Sequence, residues 1–185
     1  MNCCANDPRS QESSADVIQA LSADPVNAPA PLEDGRRACR DCGRSSRAVT
    51  HKTMLLMLKP EYLDRVGEGE YRFCHNPECE IVYFTEGAGA VFTKGALRVR
   101  VGLKEKEDPI PLCYCFGFDE ADVRAEIART GRSAIPQRIS AFIRQGMCAC
   151  PTRNPSGACC LGDVNKVIAR LMLNGAANVE EVKKK

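Results

Sequence analysis

The chain contains no tryptophan and only two histidines, and aromatic residues make up 5% of its 185 positions. So little aromatic surface leaves little area to bury per core residue. It also leaves almost no stacking platform for single-stranded nucleic acid. No charge of one sign is present to grip a polyanion: 26 Lys+Arg stand against 24 Asp+Glu, a net charge of +2. Together these deficits exclude nucleic acid as an expected partner. No apolar run approaches the roughly 20 residues that a membrane-spanning helix needs, so no membrane association is expected. The opening MNCCANDPRSQESS has neither a basic start nor an apolar stretch, which argues against a secretory signal and for a cytoplasmic location. Hydrolytic machinery is missing as well. His51 and His75 fit no Ser-His-Asp set, and GEGE at 67–70 and GAGA at 87–90 read as turns rather than phosphate loops.

What the chain does have is cysteine, 12 in all. In a reducing compartment structural disulfides are rare, and a cysteine-rich chain points to metal sites. Such sites would also help to hold a core this poor in large side chains.

The pattern along the chain predicts an α+β protein: a small β-rich zinc-binding domain followed by a helical cluster-binding domain. Residues 1–38 read as a flexible N-terminal segment, with Pro25, Pro29 and Pro31 in a linker-like stretch. Residues 39–108 are expected to form the β-rich domain. AVTHKTMLLML, YRFC, EIVYF, GAVFTKG and ALRVRV are strand-like, and KPEYLDRVG is a short helix stopped by Gly67. Within them Met54 and Met57 read as core, His51 as a strand residue, and Arg98, Arg100 and Lys104 as a solvated strand face. Residues 109–175 turn helical. Asp119 caps EADVRAEIART, which Gly131 stops. Ser133 caps the next helix, which Gly146 ends, and a last helix runs from near Gly162 to Asn174-Gly175. Residues 176–185 read as a solvated tail.

The cysteines divide with the two halves. Cys39-Arg40-Asp41-Cys42 is a C-x2-C knuckle followed by Gly43, and Cys74-His75-Asn76-Pro77-Glu78-Cys79 brings a second pair round a proline turn. Four thiolates converging from two such turns make a closed tetrahedral site whose usual occupant is zinc. His75 is a candidate to replace one of them. The second set is Cys113-Tyr114-Cys115, then Met147-Cys148-Ala149-Cys150, then Cys159-Cys160 after the turn Asn154-Pro155-Ser156-Gly157. Four thiolates from this set suffice for a 2Fe–2S cluster. A second zinc site is the alternative on spacing alone. Both groups sit just before expected helix starts, where backbone N–H groups can donate to sulfur.

The order of these pieces resembles a known family. CRDCG, YRFCHNPECEIVYF and AVFTKGALRVRVGLKEKEDPIPLCYC, then CYCF, two helices and CACPTRNPSGACCLGDV, are similar to the zinc and iron–sulfur region of CopZ-type copper chaperones over about residues 38–165. They are more distantly similar to the bacterioferritin-associated ferredoxins. The resemblance implies zinc at Cys39, Cys42, Cys74 and Cys79. It further implies a 2Fe–2S cluster with Cys113 and Cys115 on one iron and Cys150 and Cys160 on the other, Cys148 and Cys159 being the alternates. It also implies a cluster that gives one electron to Cu(II), with the Cu(I) product held by spare thiols such as Cys3-Cys4, Cys148 or Cys159. Metal ions and a redox or copper-transport protein are then the expected partners. Full-length members carry a separate copper domain with a M-x-C-x-x-C loop. This sequence runs about twenty-five residues past Cys160 without one, so delivery is expected to fall to another protein. The competing expectation is a 2Fe–2S electron carrier or cluster sensor that docks on a larger redox enzyme.

Overall fold

The structure, a computed structural model, describes residues 38–86 and 89–182. Cys3, Cys4 and the expected flexible segment up to residue 37 lie outside them.

An antiparallel meander organises the first half. Strands β1 (Ser46–Val49), β2 (Tyr71–Cys74), β3 (Ile81–Phe84) and β4 (Val91–Thr93) lie in that order. Ser46 stands opposite Cys74, and Phe73 opposite Tyr83. β2 and β3 are buried throughout because each of their faces covers a different core. Tyr71, Phe73 and Tyr83 pack with Met54, Met57, Leu58, Phe92 and Val101, whereas Cys74, Ile81 and Phe84 pack with Cys39 and Cys79. The expected strands YRFC, EIVYF and GAVFTKG are therefore present.

Two expected strands are not. AVTHKTMLLML ends β1 at Val49 and then becomes helix α1 (His51–Met57), which carries His51 as an exposed residue. Thr50 starts it by accepting the Thr53 N–H at 3.1 Å. Met54, Met57 and Leu58, three and four apart, are the buried apolar side chains, which is a helical spacing rather than a strand's. ALRVRV forms no strand either. Leu97 and Val101 are buried while Val99 between them is 37% exposed, so the buried positions recur every four residues and not every two. Short 3-10 turns at Lys94–Ala96 and Gly102–Lys104 carry the chain there. A further 3-10 helix occupies Pro60–Arg65.

The second half is helical. β5 (Pro111–Cys113) and β6 (Phe118–Asp119) form a small hairpin. Helix α2 (Glu120–Thr130) follows, with Asp119 and Asp122 in a reciprocal capping box and Gly131 at φ 75° as its stop. α3 (Ile135–Arg144) begins one residue later than Ser133 suggested; the Ser133 hydroxyl accepts the Ile135 N–H at 3.3 Å. α4 (Cys150–Arg153) is a single turn, and α5 spans Leu161–Val182. α5 does not stop at Asn174-Gly175. Val123, Ile135, Ile139 and Val164 make the core of this half around Cys113 and Cys160.

The halves meet directly. The Thr53 hydroxyl donates to the Pro151 carbonyl at 2.6 Å, and the Tyr83 hydroxyl to the Pro155 carbonyl at 2.6 Å. Tyr114 accepts the Gly102 N–H at 2.8 Å and donates to the Arg100 carbonyl at 3.0 Å.

Candidate metal centres

The first centre is made by a strand pairing. Cys39 and Cys42 lie just ahead of β1, and Cys74 ends β2, so the Ser46–Cys74 register brings the first knuckle over the second. A turn closed by Gly43 N–H to the Cys39 carbonyl, 2.7 Å, forms the first knuckle, and Gly43 takes the positive φ of 66° that it needs. The second is the β2–β3 connection, closed by Cys79 N–H to the Asn76 carbonyl at 3.3 Å. The sulfurs of Cys39, Cys42, Cys74 and Cys79 all lie within 4.8 Å of one another, with Cys42 and Cys74 3.6 Å apart. A zinc ion with Zn–S bonds of about 2.3 Å asks for sulfurs about 3.8 Å apart, so this donor set fits zinc. Cys39, Cys74 and Cys79 are buried. His75 is exposed and stands edge-on to Phe73, centroids 4.9 Å apart; the sulfur group closes without it.

The backbone prepares these sulfurs for negative charge. Arg44, Asn76 and Ile81 donate their N–H groups to Cys42, Cys74 and Cys79. Burial opposes this and wins at Cys74, whose thiol is pushed up to about 11, and at Cys79, which also donates to the Asp41 carboxylate at 3.2 Å. At the less enclosed Cys42 burial is outweighed by the Arg44 N–H and by contacts with Asn76, Cys74 and Cys39, and the thiol falls to about 7.

The second set is more extended. Cys113 ends β5, Cys115 follows in the hairpin turn, Cys150 opens α4, and Cys160 immediately precedes α5. The contacts run as a chain: Cys113 to Cys160, Cys160 to Cys150, and Cys150 to Cys115 with sulfurs 3.7 Å apart. Sulfur contacts thus cross between the C-x-C loop and the later segment. Among the described residues, only the first group places three or more donors mutually within 4.8 Å. The four sulfurs of the second set do not all lie within that distance of one another. Of the two alternates, Cys159 is in contact with Cys150; Cys148 is half-buried.

Local turns hold this set. The Asn154 side chain accepts from the Ser156 backbone and hydroxyl at 3.0 Å each and donates to the Ala158 carbonyl at 2.8 Å, which brings Cys150 and Cys160 together. Ala149 N–H donates to the Cys115 sulfur at 3.3 Å. Contact with Cys160 draws the Cys113 thiol down to about 7, and contacts with Cys159 and Cys160 hold Cys150 far below the usual thiol range. Burial pushes Cys115 up to about 11, and contacts with Cys113 and Cys150 push the Cys160 thiol up.

Sequence reasoning missed three residues around these centres. Lys104, expected on a solvated face, is 2% exposed and donates to the Asn76 and Cys79 carbonyls. Asp41 meets Cys79, and Tyr114 ties the C-x-C loop to Arg100 and Gly102. Only Asp41, inside the knuckle, and Tyr114, between two cysteines, had a local signal. A cleft of about 830 Å³ between the halves is lined by His75, Lys104, Tyr114, Cys160 and Arg170 among others. No helix among the described residues is long and apolar enough to cross a membrane.

Residues 36–98 match a family model described as a zinc binding domain, that of CopZ proteins. A protein named copper chaperone CopZ, from Archaeoglobus fulgidus, is 34% identical over 122 residues, which are 66% of this chain and 57% of the relative. This chain therefore spans 57% of the length of the curated relative it matches. The X-ray structure of the Archaeoglobus fulgidus CopZ N-terminal domain superposes with a TM-score of 0.59 at 30% identity, covering 70% of this chain and 96% of that one.

Proposed function

The chain belongs to the CopZ-type family, and on that premise we propose that it is a cytoplasmic metal-handling protein whose cargo is copper. Cys39, Cys42, Cys74 and Cys79 hold a structural zinc ion in a unit of about residues 39–108. Cys113, Cys115, Cys150 and Cys160 hold a 2Fe–2S cluster in a unit of about residues 109–175. A cluster of this kind supplies one electron, so cargo Cu(II) leaves as Cu(I). The chain's own residues set the conditions for that transfer. The Asn154 turn and the crossing sulfur contacts fix the four thiols from three segments. Backbone N–H groups such as Ala149 donate to sulfur, favouring the more negative state. Cu(I) is soft and prefers thiolates, and Cys148, Cys159 and Cys3-Cys4 are the thiols outside the two ligand sets. A redox protein restores the electron and a copper-transport protein takes the cargo.

The observation that carries this reading is the contact chain Cys113–Cys160–Cys150–Cys115, in a molecule that also holds a compact four-sulfur group. Anaerobic purification with iron, sulfide, zinc and copper analysis tests it. Wild-type protein is expected brown, with two irons and one zinc per chain. Cys113→Ser should lose the colour and keep zinc, and Cys39→Ser should do the reverse. Adding Cu(II) to the reduced protein should restore the oxidised spectrum with one Cu(I) formed per cluster. Colourless wild-type protein with paired thiols would overturn the cluster. A brown protein whose reduced form ignores Cu(II) would replace copper handling with plain electron carriage.

A further inference from the structure

Lys104 is a buried cation without a buried anion beside it. Its Nζ donates to the Asn76 carbonyl at 2.7 Å and the Cys79 carbonyl at 2.9 Å, and the residue is 2% exposed. Among the described residues no carboxylate pairs with it. The acids nearest along the chain and across the loop are already engaged: Glu105 with Arg100 at 2.7 Å, and Glu78 with Lys106. Two carbonyls satisfy hydrogen bonds but bring no net charge. An ammonium withdrawn from water is costly unless an opposite charge compensates it. Beside the two carbonyls that it grips lies the four-thiol group, a concentration of potential negative charge. The Asn76 and Cys79 carbonyls that Lys104 grips belong to that group's second knuckle. Four thiolates around a divalent ion carry a net charge of two minus, which is equally costly to bury alone.

We propose that Lys104 is the counter-cation and positioning residue of the four-sulfur centre: it holds the Cys74–Cys79 knuckle by its carbonyls and offsets the negative charge that appears when zinc replaces the thiol protons. The inference rests on the zinc reading given above. Lys104 touches no sulfur, so it acts through the loop and through its charge. It also lies two residues from Gly102, whose N–H is held by Tyr114 between Cys113 and Cys115, so the same short segment spans both centres.

The test is zinc affinity of the full chain, measured by competition with a chromophoric chelator, with visible absorption as a check on the second centre. Lys104→Gln keeps a donor but no charge, Lys104→Met keeps neither, and Lys104→Arg keeps both. Both neutral variants should bind zinc roughly tenfold to a hundredfold more weakly, the size expected when a partner that supports a metal's ligands from behind is lost. Arg should stay within about threefold of wild type, and the absorption should not change. Wild-type affinity in Lys104→Gln would overturn the charge role and leave a simple tie. Equal loss in Lys104→Arg and Lys104→Gln would overturn it too. Should Lys104→Met not fold, the Gln and Arg pair decides alone. Wild-type protein that binds no stoichiometric zinc would instead refute the zinc reading, a separate result.

Discussion

At the residue scale the two thiol groups differ less in their atoms than in what surrounds each sulfur. Cys42 is pulled down to about 7 although burial raises it, because the Arg44 N–H and neighbouring polar groups favour its thiolate. Cys74, in the same group, is raised to about 11 by burial. The linkage has opposite signs at the two. In metal-free protein the Cys42 contribution to stability is full above its ordinary value of 9.0 and is lost as pH falls through about 7. That of Cys74 is full below 9.0 and is lost as pH rises through about 11. Metal-stripped protein treated with a thiol alkylator at pH 7 should therefore be modified at Cys42 well before Cys74, as read by peptide mass spectrometry. Equal labelling of the two would contradict the assignment. Zinc should protect both.

At the scale of elements, helix ends carry the local signals. Asp119 accepts the Asp122 N–H at 2.9 Å and Asp122 returns a bond to the Asp119 N–H at 3.1 Å. Asp119→Ala should cost about 1 kcal/mol, seen as a lowered thermal midpoint with unchanged metal content. A change in iron content would show that the cap also positions Cys113, which stands opposite the adjacent Phe118 in the hairpin. This cap, the Gly131 stop and the strands YRFC and IVYF were legible in the sequence because short-range geometry decides them. ALRVRV was not. Its alternation is real, but Leu97 and Val101 are drawn into a core built by β2, β3 and α1, and that pull overrides a two-residue period. α1 was missed for the same reason: a run of apolar residues this short has no period of its own until a partner covers one side.

On the scale of the whole molecule, a few buried hydrogen bonds join the halves. Tyr83→Phe would leave the Pro155 carbonyl without its 2.6 Å donor, at an expected 1–3 kcal/mol. Since Pro155 sits in the turn between Cys150 and Cys160, the change should speed loss of visible colour under mild denaturant while zinc is retained. Simultaneous loss of both metals at the wild-type midpoint would mean that this bond does not matter. Gly102 marks another junction: a Cβ there would lie 1.7 Å from the Pro111 carbonyl oxygen, so the 3-10 turn and β5 can approach only because the side chain is missing.

Cysteine spacing alone determined that this chain carries two separate sulfur groups, since a knuckle or a proline turn is a local object whose ligands must be close in sequence. It also determined the order of a sheet half and a helical half, through the change in period. The tertiary structure alone decided which sulfurs touch. The β1–β2 register stacks one knuckle on the other, and the Asn154 turn folds Cys160 back on Cys113 and Cys150. Lys104 belongs to the same category: nothing in its neighbours distinguishes it from a surface lysine, and only the packing of a distant loop around its side chain takes it out of water and beside the first centre.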